Sequence, residues 1–291
     1  MKLADYYTDN KLGVSFELFP PKTEKGDKAL HSNVEKLMEF SPNYITCTYG
    51  AGGSTRTKTL DIVSAVKATH GVPVASHLTC VGSSVDELRG YLTEAIDRGI
   101  DYIVALRGDP PQGETNFVPD PNGLRYANEL VDLIQAEFSQ LGIAVAGYPE
   151  THLEAPNADI DLENLKRKVD AGADVIMTQL FFDNADYYNF RERCEKAGIQ
   201  IPIVPGIFPV ASLPQIKRIA NMCGAKVPQS LLDELSQKPE DAVWHSEVGV
   251  QHASRQVEDL ISNGVPGLHF YVLNKSEATI SIMKNAGLAK V

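Results

Sequence analysis

The sequence predicts a single (β/α)8 TIM barrel with a long, helical seventh connection, and three observations carry that prediction. Short β-rich apolar runs alternate with longer amphipathic stretches along the chain. Eight such runs occur, over 13–19, 44–49, 72–80, 101–107, 143–149, 174–181, 201–207 and 267–273. Several, such as Ile103-Val-Ala-Leu106, are apolar throughout instead of alternating, as strands buried on both faces of a parallel sheet are. Eight strand–helix units fit a closed barrel, and an open doubly wound sheet is the alternative.

The intervening stretches read as helices. Segment 84–99 opens with Ser84 and Glu87 at capping-box spacing, aligns Leu88, Leu92, Ala95 and Ile96 on one face, and meets Gly99 at its end. Segment 123–142 aligns Leu124, Ala127, Leu130, Val131, Ile134, Phe138 and Leu141, with Asn122 and Gly142 as its expected caps. Segments 55–69, 158–171, 184–197, 211–222 and 275–286 follow the same pattern. About sixty residues separate the seventh run from the eighth, and extra helices over 228–237 and 241–263 fill them. No Pro/Gly/Ser-rich linker interrupts the chain, so 1–291 is expected to be one domain.

Composition narrows the function. The 291 residues carry 27 basic and 38 acidic side chains, a net charge of −11. Nucleic acid and anionic membrane reward basic patches, so neither is an expected partner. No apolar run reaches the roughly 18 residues of a membrane span, and the first residues hold no apolar signal core. Cys47, Cys80, Cys194 and Cys223 are scattered, which fits buried, reduced thiols in a cytoplasmic protein. The seven histidines lack zinc-ligand spacing, so no metal is expected. Walker, GxGxxG and GxSxG fingerprints are absent as well.

In a barrel, catalytic groups gather at the carboxyl ends of strands. Glu17 stands there, between Phe16 and Leu18. Partial desolvation is expected to raise its pKa and suit it to general acid work; a solvent-facing strand-end Glu is the plainer alternative. Asp109 follows Arg107 by two residues, as either a local ion pair or a fixed negative charge over a ligand. Gln179 lies inside an apolar strand, as a core amide or a bidentate ligand contact. Gly50-Ala-Gly-Gly53 follows the second strand and could bring backbone close to a phosphate or a ring. The cluster Asn164-Leu-Lys-Arg167-Lys168 is basic within an acidic chain, as a solvated helix face or a diphosphate clamp. His77 and His152 are the better-placed histidines, and His269 reads as a barrel-lining residue.

Nine stretches, in order along the chain, together resemble methylenetetrahydrofolate reductases of the short bacterial type. They are SFELFPPKT (15–23), TCTYGAGGSTR (46–56), HLTC (77–80), ALRGDPP (105–111), GYPETH (147–152), NLKRKVDAGAD (164–174), TQLFFD (178–183), VPGIFPV (204–210) and HFYVLNKSEAT (269–279). The resemblance implies a flavin-binding catalytic barrel, a ping-pong reaction between NAD(P)H and methylenetetrahydrofolate through FAD, and a cytoplasmic homo-oligomer, tetrameric in bacterial relatives. It implies that Glu17 is the general acid that helps open the folate ring to an iminium cation, and that Asp109 stabilises that cation beside the flavin. FAD contacts carry over to Tyr49, Ala51, His77, Arg107, Gly108, Asp109, Ala127, Tyr148, His152, Asp161, Asn164, Arg167 and Lys168. Thr48 corresponds to a nicotinamide contact, Gln179 to a contact of both substrates, and Gln215 and Lys275 to folate contacts. Lys275 stands where bacterial relatives commonly carry Arg, and offers one charge contact in place of a bidentate grip. Ile219 stands where a relative has Phe. A flavin-free folate methyltransferase and a non-catalytic binding barrel are the competing readings.

Overall fold

The computed structural model describes residues 2–8, 11–49, 56–110 and 117–288. Its nine strands form one parallel sheet. Strand β1 (Gly13–Leu18) is followed by α1 (Glu24–Met38), β2 (Tyr44–Cys47) by α2 (Arg56–His70), and β3 (Val74–Thr79) by α3 (Val85–Asp97). Then come β4 (Tyr102–Leu106) with α4 (Ala127–Glu137), β5 (Gly142–Gly147) with α5 (Ala158–Asp170), and β6 (Val175–Thr178) with α6 (Asn184–Lys196). The seventh unit holds two short strands, β7 (Ile203–Val204) and β8 (Gly206–Ile207), and three helices. These are α7 (Leu213–Cys223), α8 (Gln229–Ser236) and α9 (Ala242–Ser262); β9 (Gly267–Tyr271) and α10 (Ser276–Asn285) complete the barrel.

The spatial order runs β7-β6-β5-β4-β3-β2-β1-β9-β8. Its two ends are halves of one expected strand, split at Pro205. Proline has no N–H to give a ladder, so it breaks the pairing locally. β7 pairs with β6, β8 pairs with β9, and the Pro205 carbonyl accepts the His269 N–H at 3.0 Å. The barrel therefore closes through a single interrupted segment.

Local signals explain most of the helices. Ser84 and Glu87 form the expected capping box on α3, and Gly99 follows with a left-handed φ of 74°. The expected α4 is shorter than its apolar pattern. Asn122 does not cap it, because the chain turns at Gly123 instead, and Glu129 accepts the Arg125 and Tyr126 N–H groups to start the helix at Ala127. Gly142 opens β5 and does not end α4. Helix α1 had no sequence expectation, since Leu30, Val34 and Leu37 are its whole buried stripe among charged residues.

The main core lies between strands and outer helices, where fully buried Phe16, Leu78 and Phe270 each contribute about 1.5–3 kcal/mol. At the amino-terminal end a 3-10 turn, Leu3–Tyr7, floors the barrel. Leu3 is fully buried, and Tyr7 packs where only glycines leave room: a Cβ on Gly13 or Gly267 would lie 2.5 Å from its ring. The opposite, carboxyl-terminal end is open and holds the site.

Candidate active site

Two adjoining cavities open at the carboxyl ends of the strands. The first, about 430 Å³, is lined by Glu17, Thr48, Tyr49, His77, Gly108, Asp109 and Gln179, among others. The second, about 540 Å³, is lined by Ala127, Asp161, Asn164, Arg167 and Lys168, among others. Arg107, Tyr148 and His152 belong to both walls. Ala51 and the Gly50–Gly53 stretch lie outside the described residues. Gln215 and Lys275 line neither cavity: Gln215 accepts the Ala211 N–H near the start of α7, and Lys275 is exposed at the start of α10.

Glu17, next to last in β1, has its side chain 15% exposed and lines the first cavity. Its Oε2 is 3.3 Å from His77 Nε2 on β3 and 3.4 Å from His269 Nε2 on β9. Burial alone pushes the carboxyl up, but the charge of His77 and the hydrogen bond to His269 outweigh it and hold the pKa at about 2. This corrects the sequence expectation of a raised value. Glu17 is therefore one member of a carboxylate–imidazole cluster and not an isolated neutral carboxyl. His269 is the buried, barrel-lining residue the sequence suggested, and its Nδ1 lies 2.8 Å from Ser15 Oγ.

Asp109 is exposed at the mouth and does not pair with Arg107. Arg107 instead grips Glu154 with both prongs, at 2.5 and 2.6 Å, and its guanidinium lies 4.9 Å from the Phe117 ring centre. Gly108 takes φ 89°, and a Cβ there would meet Val81 and Thr79 at 2.6 and 2.9 Å, so the Arg-Gly-Asp turn is pressed onto the end of β3. Gln179 has its carbonyl taken by the Leu180 N–H at 2.9 Å. Its amide nitrogen has no partner among the described residues.

The second cavity is cationic at its base. Lys168 reaches inward from α5 to donate to the Ala146 carbonyl at 2.5 Å, and burial lowers its pKa to about 8. Arg167 is tethered to Asn164 at 3.1 Å. Asp161 accepts the His152 N–H at 3.0 Å and so fixes the loop after β5, where Thr151 takes a strained φ of 89°. His152 and Tyr148 meet edge to face at 4.6 Å. Sequence reasoning missed Glu154 and the cavity-lining position of Cys223. Among the described residues no group of three His, Cys, Asp or Glu could hold a metal, and no helix is long and apolar enough to cross a membrane.

Fold and site together define an α/β-barrel enzyme with a carboxylate–imidazole cluster beside a second cavity lined by Arg107, Arg167 and Lys168. The family model described as methylenetetrahydrofolate reductase matches residues 2–287. The chain belongs to the methylenetetrahydrofolate reductase family. It is 40% identical to the 5,10-methylenetetrahydrofolate reductase of Escherichia coli (strain K12), over 96% of this chain and 92% of that one. It is 36% identical to methylenetetrahydrofolate reductase (NADH) 1 of Arabidopsis thaliana, over 99% of this chain and 50% of that one. A solved structure from Clostridium thermocellum, of a protein that binds two copies of 5-methyl-5,6,7,8-tetrahydrofolic acid, superposes with a TM-score of 0.63. It covers 99% of this chain and 98% of its own at 14% identity, a likeness of fold alone.

Proposed function

We propose that this chain is a single flavin-binding barrel domain that reduces 5,10-methylenetetrahydrofolate to 5-methyltetrahydrofolate, with NADH as electron donor and FAD as cofactor. The observation that carries the proposal is the joining of an acid–imidazole cavity to a cationic one through Arg107, Tyr148 and His152. The relatives' names supply the folate chemistry, and the plant relative's name favours NADH.

The second cavity fits a dinucleotide. Its donors are Arg107, Arg167 and Lys168 with the Asn164 amide, its volume suits the part of a cofactor that carries a diphosphate, and its three cations outnumber the two carboxylates of the wall, Glu154 and Asp161. Arg107, Asn164, Arg167 and Lys168 would hold the phosphates, with Ala127, Asp161 and His152 shaping the wall. Tyr49, His77, Gly108, Asp109 and Tyr148 would border the ring in the first cavity. FAD held there would supply a two-electron hydride carrier between nicotinamide and folate, which is the chemistry of a ping-pong order.

The chain's own residues do the rest. Glu17, fed by its imidazole partners, gives the proton that opens the folate's five-membered ring. Asp109 sets a negative charge against the iminium cation that results. The Gln179 amide and Thr48 orient whichever substrate occupies the first cavity. Gln215 and Lys275, outside both cavities, are assigned to the outer parts of folate, Lys275 to its acidic tail. The same reading makes the protein a cytoplasmic homo-oligomer of one-carbon metabolism that supplies methionine synthesis.

The test is direct. Purified protein is expected to be yellow, to bleach with NADH under anaerobic conditions, and to regain colour when methylenetetrahydrofolate is added. A colourless protein that takes up no FAD on reconstitution would overturn the proposal.

A further inference from the structure

The pairing of β1 with β9 runs from Gly13 opposite Gly267 to Glu17 opposite Tyr271. Just past the end of β9, the Val272 N–H donates to the Glu17 carbonyl at 3.2 Å. Pro20 and Pro21 follow Phe19 and have no N–H with which to extend a ladder. The side chain of Asn274 supplies the next pair of bonds instead. Its Oδ1 accepts the Phe19 N–H at 3.1 Å, and its Nδ2 donates to the Phe19 carbonyl at 2.6 Å. The backbone turns left-handed twice to bring the amide there, with φ 53° at Leu273 and 55° at Asn274. Asparagine tolerates that conformation, whereas leucine is strained in it. Leu273 takes it nonetheless, and lines the first cavity. Asn33 of α1 clamps the turn from outside. Its Nδ2 donates to the Asn274 carbonyl at 3.0 Å, and its Oδ1 accepts the N–H and the hydroxyl of buried Ser276 at 3.1 and 2.7 Å.

We propose that Asn274 is a positioning residue for the folate half-reaction: its amide stands in for a rung of the β1–β9 ladder and so holds Glu17 against His269. The inference rests on the reductase reading, in which Glu17 serves as acid in that half-reaction alone. Glu17 and His269 face each other across the β1–β9 seam, with Oε2 and Nε2 3.4 Å apart. That spacing is near the outer limit of a hydrogen bond, so a slip of about half an ångström between the strands loses it. On its other edge the end of β1 is held by the chain after β2, where the Thr48 N–H donates to the Leu18 carbonyl at 2.9 Å. The Asn274 amide is the matching restraint on the β9 edge, one residue further along. Both of its bonds go to the backbone of Phe19, two residues from the acid, and Asn33 pins the Asn274 carbonyl behind them. Asn274 lines neither cavity, so it acts through Glu17 and not on a substrate. Leu273 borders the cavity that both substrates would share, so a turn that merely lost its shape would disturb both half-reactions alike.

Three variants separate the amide from the backbone turn. Asn274→Gly keeps the left-handed turn and removes the amide, and Asn274→Ala removes the amide and strains the turn as well. Asn274→Asp keeps an acceptor for the Phe19 N–H and loses the donor to its carbonyl. The two half-reactions of each holoenzyme are followed separately by stopped flow, and FAD affinity by flavin fluorescence. In Asn274→Gly, FAD affinity and flavin reduction by NADH should stay within twofold of the parent. Flavin reoxidation at saturating methylenetetrahydrofolate should slow tenfold or more. Asn274→Asp should slow the same step by threefold or more, and carries the test if Asn274→Gly fails to fold. A folate half-reaction within twofold of the parent in Asn274→Gly, with a loss confined to Asn274→Ala, would overturn the amide's role in favour of the turn's shape. Equal losses in both half-reactions, or a loss of FAD affinity, would overturn it in favour of packing. A raised folate requirement with the parental rate at saturation would overturn it in favour of substrate binding. Each of these outcomes leaves the reductase reading standing. A parent that shows no folate half-reaction would overturn that reading and the positioning role together.

Discussion

Arg107 and Glu154 face each other in a two-pronged ion pair on the borders of the second cavity, with contacts of 2.5 and 2.6 Å. The pair occupies the guanidinium with a carboxylate at the place where an anionic cofactor is expected. Glu154 is half exposed, so the pair adds at most about 1 kcal/mol to stability. Glu154→Gln should therefore change unfolding stability by less than about 1 kcal/mol in denaturant titrations. It should also tighten FAD binding severalfold by flavin fluorescence, since one negative charge leaves the cavity. Weaker binding would mean that Glu154 orients Arg107 toward the cofactor instead of competing for it.

Lys168 yields a pH prediction with a definite sign. Its folded pKa of about 8 lies below its ordinary value of 10.5 because burial disfavours the charge. The unfolded chain therefore holds this proton more tightly, and the penalty is fully present below pH 8 and fades as pH rises toward 10.5. Lys168→Met should stabilise the cofactor-free protein at pH 7, with the advantage shrinking across that window. The same variant should weaken FAD binding about 10- to 100-fold, the worth of a charge-assisted hydrogen bond. Parental affinity should also decline above pH 8. Stability and affinity that move together in Lys168→Met would reject an anion-holding role.

Glu17→Gln separates the acid from the rest of the machinery. Reduction of the flavin by NADH should stay within a few-fold of the parent, while transfer to methylenetetrahydrofolate falls about 100- to 10,000-fold. Stopped-flow traces of the two half-reactions check this. Comparable losses in both would remove Glu17 from its role as acid.

Two glycines on helices test the packing. Gly249 lets α9 approach the carbonyl of Val210 so closely that a Cβ would lie 2.0 Å from that oxygen. Gly249→Ala should cost about 1–3 kcal/mol as α9 and the segment after β8 separate. Gly90, on the exposed side of α3, has nothing within 4 Å of its missing Cβ. Gly90→Ala should gain about 0.5–1 kcal/mol from helix propensity alone. Thermal unfolding of both variants reads the contrast.

The strands were legible because both faces of a parallel barrel strand are apolar, and that needs no knowledge of partners. Residues 201–207 read as one strand, and the structure splits them at Pro205, where the missing N–H interrupts the ladder. Helix α1 was not legible, since three buried aliphatics among many charges give little periodic signal. The pKa of Glu17 was misread for a different reason. Its neighbours in sequence, Phe16 and Leu18, are apolar, while the histidines that set its charge arrive from β3 and from β9, 252 residues away. Motif matching placed the residues of both cavity walls, because those sit at strand ends and on α5. It did not place Gln215 and Lys275 in either cavity, because both belong to helix starts beyond the strand ends.

The floor under the barrel makes closure and docking one event. Tyr7 lodges against Gly13 of β1 and Gly267 of β9, two glycines far apart in sequence, so its seat is complete only when those strands have paired. Until then the sheet keeps an unpaired edge at β1, a template on which strands of other chains can pair.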